Sequence, residues 1–135
     1  MKKFILGILL TPSLLLAQHH IVVNVQKVPS SSGKVSVAVY NDHNGFLKFE
    51  HVYTSASVAA AEGTTEVIVK NVPEGEYAIA VFYDENGNDL LDTNWLGIPK
   101  EKVAFSNAKM KTFGPPNFKE CAFKHKGSTS LAIDL

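Results

Sequence analysis

Apolar side chains fall at every second position in one stretch of this chain after another. Ile21, Val23 and Val25 form the first series and Val35, Val37 and Val39 the second; the alternation returns in residues 66–70, 77–83 and 131–135. A period of two puts the apolar side chains on one face of a strand, whereas a helix repeats near 3.6. The chain is therefore built to form sheets, each with a face turned to a core.

The punctuation between these series is that of turns. Pro29-Ser30-Ser31-Ser32-Gly33 joins the first two strands, which are expected to pair as a meander, and Asn41-Asp42-His43-Asn44-Gly45 ends the second. Phe46-Leu47-Lys48-Phe49 is assigned a short turn of helix before a strand near Val52-Tyr53-Thr54. Pro73 and Gly75 lead into Tyr77 at the head of a strand, which resembles the tyrosine corner of Greek-key sandwiches and gives Tyr77 a structural role. From residue 84 to about 116 the alternation dissolves into a long region that carries Trp95, Leu96, Ile98, Val103, Phe105 and Phe113, enough apolar content for an ordered loop packed on the sheets. Last strands are expected around Cys121-Ala122-Phe123 and at 131–135. About seven short strands separated by turns predict an all-β, single-domain Greek-key β-sandwich.

The beginning of the chain follows another logic. Lys2 and Lys3 precede an apolar run that Thr11-Pro12-Ser13 interrupts and Leu14-Leu15-Leu16-Ala17 resumes, the layout of a secretory signal peptide. A membrane span needs about 20 unbroken apolar residues, so residues 1–17 are read as a signal and 18–135 as the domain, periplasmic or secreted, with no transmembrane anchor in the mature chain. Losing Lys2 and Lys3 leaves 11 lysines against 13 acidic residues, a formal charge of −2, and there is no Arg. Nucleic-acid binding leans on clustered Arg and Lys and is disfavoured. Cys121 is the lone cysteine, so the fold stands without an internal disulfide, and its apolar surroundings make it a small core side chain.

The segment Asp84-Glu85-Asn86-Gly87-Asn88-Asp89-Leu90-Leu91-Asp92 carries the most specific chemistry. Oxygen-bearing side chains stand at alternate positions, Asp84, Asn86 and Asn88, followed by the Leu90 carbonyl and Asp92. Calcium takes six to eight such oxygens, and Gly87 permits the tight coil. Counted from Asp84, the sixth position is Asp89 and the twelfth Trp95, where an EF-hand has Gly and Glu. Glu101 is the candidate for the missing carboxylate, and weak affinity of about 10⁻⁴–10⁻³ M is expected. The competing reading is a plain polar turn, because Asn-Gly is a strong hairpin signal.

Residues 75–88, Gly97-Ile98-Pro99-Lys100-Glu101, Phe105-Ser106-Asn107 and Gly114-Pro115-Pro116-Asn117-Phe118 together resemble a family of small secreted bacterial proteins, the domain of unknown function 2141. The resemblance spans nearly the whole mature chain. It implies an immunoglobulin-like or transthyretin-like sandwich and no established activity. Asp84-x-Asn86-x-Asn88 by itself also resembles calcium loops in repeat domains of bacterial surface adhesins.

Weaker signals remain. Cleavage after Ala17 exposes Gln18-His19-His20, where a free amine, two amides and His20 can wrap Cu(II) or Ni(II); the plainer reading is a solvated lead into the first strand. His43, His51 and His125 lack zinc-motif spacing. No nucleophile with its base, carboxylate pair or phosphate-binding glycine loop is supported by spacing. The leading expectation is a non-enzymatic binding or structural module for a protein or small-molecule ligand. Its alternative is a small-molecule binder or hydrolase using the surface around Trp95, Phe105, Ser106 and Phe113.

Overall fold

The computed structural model describes residues 19–88 and 101–135. Among the described residues, eight strands make two sheets: β1 (Ile21–Val28), β2 (Lys34–Tyr40), β3 (Thr54–Ala59), β4 (Gly63–Val69), β5 (Gly75–Asp84), β6 (Val103–Phe105), β7 (Phe123–His125) and β8 (Thr129–Asp134). One sheet has the order β4-β1-β8. The other runs β3-β2-β5-β6, with β7 paired to the head of β5. All pairings are antiparallel except β1 with β8, which joins the first and last strands in parallel.

The valines that define the alternation fill the space between the sheets. Val23, Val25, Val35, Val37, Val39, Val67, Ile79 and Val81 are fully buried, and Ile133 of β8 joins them. β-Branched residues restrict χ1 and pack well on a pleated face. The larger sheet is covered on its other face as well. There Ala38, Ala78 and Ala80 leave room for Phe105, Phe118 and Tyr40, and a single helical turn, α1 (Phe118–Cys121), lies on them. Small residues on one face and large ones on the other explain why β5 is buried almost continuously.

Four expectations need correction. β1 and β2 do not form a meander: β1 pairs with β4 and β8, while β2 pairs with β3 and β5 in the opposite sheet. Periodicity fixes which face of a strand is apolar and says nothing of its partner. The region beyond residue 84 contains β6, too short at three residues to show a period. Cys121 closes α1, and the strand begins only at Phe123. An Asn117 capping box starts that turn: Glu120 N–H donates to Asn117 Oδ1 and Asn117 N–H to Glu120 Oε2. The helix expected near residue 46 is a turn of 3-10 helix at Phe49–His51.

The corner before β5 is as expected. The Tyr77 hydroxyl donates to the Pro73 carbonyl at 2.7 Å, fixing the crossing from β4 to β5. Among the described residues no helix is long and apolar enough to cross a membrane.

Candidate functional site

The candidate loop leaves the sheet at the end of β5, and three contacts hold that departure point. Tyr83, on the core face, donates its hydroxyl to the Ser32 carbonyl at 2.6 Å and lies 2.7 Å from Ser30 Oγ. Gly33, at φ 74°, lies so close that a Cβ there would come within 2.0 Å of the Asp84 carbonyl oxygen. The Tyr83 N–H donates to the Lys102 carbonyl at 3.0 Å, extending the β5–β6 ladder past Phe82↔Val103. Tyr83 and Lys102, on either side of the candidate segment, are thus side by side.

Asp84 is fully buried although it ends a strand. Its Oδ1 accepts the Asn88 N–H at 3.2 Å, and Asn86 Oδ1 approaches the same N–H at 3.2 Å. Two of the sequence-predicted oxygens therefore converge on one amide, with Gly87 at φ 68° in the coil and its N–H donating to the Asp84 carbonyl. Across β2, the register places Lys34 opposite Asp84. Leu90 and Asp92, the remaining predicted ligands, and Trp95 lie outside the described residues. Among the described residues no group of three or more His, Cys, Asp or Glu side chains is placed to hold a metal.

Ser106 is placed for structure. It is 1% exposed, its hydroxyl donates to the Cys121 carbonyl at 2.6 Å and accepts the Ile79 N–H at 2.9 Å. One side chain thereby ties β5 to α1 where the β5–β6 ladder ends, and its proton is committed to a carbonyl. Phe105 is buried beside it while Phe113 is fully exposed, so the two do not line one surface. Cys121 is buried, and loss of solvent, then the Glu120 charge, push its thiol up to about 11.

His125 and His20 serve the fold as well. His125 is 2% exposed, with Nε2 at 3.0 Å from the Val72 carbonyl and Nδ1 at 2.6 Å from Thr129 Oγ1. A carbonyl only accepts, so Nε2 carries a proton. His20 Nδ1 accepts the Asn71 N–H at 3.3 Å, which engages a ring nitrogen that a copper or nickel wrap would require. Sequence reading missed the Ser30, Ser32 and Tyr83 clamp and the Ser106 bridge, because such bonds cross 51 to 53 and 15 to 27 residues and leave no local pattern.

The family model described as an uncharacterized protein conserved in bacteria, DUF2141, matches residues 23–132. The chain belongs to this family. The DUF2141 match takes in both sheets, the departure point of the 84–101 loop, Ser106 and the capped turn α1, and it leaves out His19 and His20. No curated protein and no solved structure matches the chain.

Proposed function

We propose that this DUF2141 chain is an exported, non-enzymatic β-sandwich module of immunoglobulin-like or transthyretin-like kind, whose 84–101 loop is ordered by a weakly held calcium ion. The observation that carries the reading is the convergence at the end of β5. A buried carboxylate, Asp84, and the Asn86 amide oxygen point at one backbone N–H, and the carbonyl of Lys102, the chain neighbour of Glu101, accepts the Tyr83 N–H. Two carboxylates with Lys34 on the neighbouring strand leave little net negative charge, which suits affinity of about 10⁻⁴–10⁻³ M. Export, read from residues 1–17, places the loop where calcium is abundant enough to fill such a site. The tyrosine corner at Tyr77 supports the fold assignment. The hydrolase alternative loses its nucleophile, since Ser106 is buried with its proton on a carbonyl.

The test is a calcium titration of the chain beginning at Gln18, which retains every strand, followed by melting temperature and Trp95 fluorescence. An ion that binds the native state stabilises it by RT ln(1 + [L]/Kd), about 1.4 kcal/mol at ten times Kd. A rise in Tm that Asn86→Ala and Glu101→Gln each diminish is expected. An unchanged Tm and spectrum at about 10 mM calcium, tenfold above the weak end of the range, would remove the metal from the proposal.

A further inference from the structure

β3 is an outer strand of the larger sheet, bonded among the described residues to β2 alone. The Ala60 N–H donates to the Gly33 carbonyl at 3.0 Å, which sets the alternation of that antiparallel ladder. Thr54, Ala56 and Val58 therefore turn their backbone groups to β2, while Ser55, Ser57 and Ala59 turn theirs to the open side. Such a row of N–H and carbonyl groups is a template for another strand.

The remaining edges of the two sheets carry features that discourage pairing: shortness or charge. β6 and β7 are three residues each, β4 has Glu66 at its middle, and β8 ends in Asp134, paired with Lys27 at 3.1 Å. β3 has none of these. Residues 52–61 hold no charged residue, proline or glycine, in a chain that is 19% charged. The core is also unfinished along this edge, where Ala56 and Val58 pack against it and stay only partly buried.

We infer that β3 pairs antiparallel with β3 of a second copy of this chain, joining the two larger sheets into one. Placing Ser57 on the twofold axis uses every outward backbone group of the strand. Ser57 then meets Ser57 and Ser55 meets Ala59, each pair exchanging both backbone bonds. The same register sets Ala56 opposite Val58 on the core side, so the half-covered apolar side chains close the core across the seam. Glu62 falls opposite Val52 and His51 opposite Gly63, so no like charges meet. One patch thus complements itself, as a twofold interface requires. A foreign strand, by contrast, finds neither charge nor bulk on Ser55, Ser57 and Ala59 by which it could be selected.

The experiment is sedimentation velocity on the chain beginning at Gln18 over a concentration series, with two double variants. Both carry Ala59→Glu, which faces Lys34 on β2 of its own chain. They differ at residue 55, which the twofold register sets against residue 59 of the other copy. The parent should form a dimer as concentration rises; Ser55→Glu/Ala59→Glu should dimerise at least several-fold more weakly, and Ser55→Lys/Ala59→Glu should keep the dimer. Ser55 and Ala59 are exposed, so both variants should fold, and circular dichroism checks this. Amide hydrogen exchange on the parent needs no variant: Ser55, Ser57 and Ala59 should gain protection on dimerisation, whereas Ala56 and Val58 are protected throughout. A parent that is monomeric at every concentration overturns the inference and leaves the edge to a strand of another protein or to none. Dimerisation that is equal in the two variants overturns it by assigning association to another face, and so does unchanged exchange at Ser55, Ser57 and Ala59 in a dimeric parent.

Discussion

At the scale of single residues, several polar side chains in the interior are committed to named backbone partners. Ser106 bridges Ile79 and Cys121, Tyr77 holds Pro73, Tyr83 holds Ser32 and His125 holds Val72. An unpaired buried donor or acceptor costs about 1–3 kcal/mol, and among the described residues no buried side-chain nitrogen or oxygen lacks a partner. Cys121 differs in having a thiol, a weak donor whose ionisation is opposed first by burial and then by the Glu120 charge. With its pKa pushed up to about 11, it is not a thiolate at neutral pH. Iodoacetamide at pH 8 should therefore leave the native protein unmodified and alkylate it once in denaturant, as mass spectrometry reads directly. The folded pKa lies above the unfolded value of about 8.5. Between these two values the unfolded state has lost the proton that the native state keeps, so the Cys121 contribution to stability is full below pH 8.5 and declines as pH rises toward 11. Cys121→Ala should flatten that part of the stability profile; an equally steep decline in the variant would assign it to other groups.

At the scale of elements, the short connection between β1 and β2 does more than cross from one sheet to the other. Residues 29–33 clamp the end of β5, through Ser32 on Tyr83 and through Gly33 against the Asp84 carbonyl. Gly33→Ala would add a methyl 2.0 Å from that oxygen and 2.5 Å from the Glu85 oxygen, in a backbone conformation with positive φ. The conformation alone costs about 1–2 kcal/mol, and the clash must also displace backbone. Thermal denaturation should show a loss of at least that size, and the 84–88 coil should lose its shape with it, so any calcium response should weaken in the same variant. A Tm within a degree of the parent would mean that the connection yields easily. The elements themselves were partly legible in the sequence. Long valine series announce β1, β2, β4 and β5 because one face of each is buried in the main core. β6 and β7 are three residues each and carry no period, while α1 is set by the Asn117 and Glu120 capping pair, which the sequence reading passed over. Of the candidate site, the spacing of Asp84, Asn86 and Asn88 is visible in the sequence; the approach of Gly33 and the position of Lys34 across from Asp84 required the fold.

At the scale of the whole molecule, the chain closes on itself without a covalent tie. Cys121 is its one cysteine, and the first and last strands meet along six register pairs, Ile21↔Thr129 through Gln26↔Asp134. β8 therefore belongs to the core of the fold although it comes last. It brings the buried Ile133 and the partly buried Leu131 into the space between the sheets, and Thr129 places the hydroxyl that meets His125. Truncating one buried Ile or Leu to Ala costs about 2–5 kcal/mol, against a total of about 5–15 kcal/mol for a domain. Removing residues 129–135 takes away Ile133, Leu131 and β1's entire parallel partner at once, and it leaves β1 as an open edge. The truncated chain should then lack a cooperative thermal transition, its near-ultraviolet circular dichroism lost at room temperature. Ile133→Val, which deletes one methylene, should retain the transition and lower its midpoint modestly, for a cost of about 0.5–1.5 kcal/mol. A truncated chain that still melts cooperatively near the parental temperature would show that the larger sheet and its helical cover stand alone, and that the parallel pairing of the two ends is an addition to the fold.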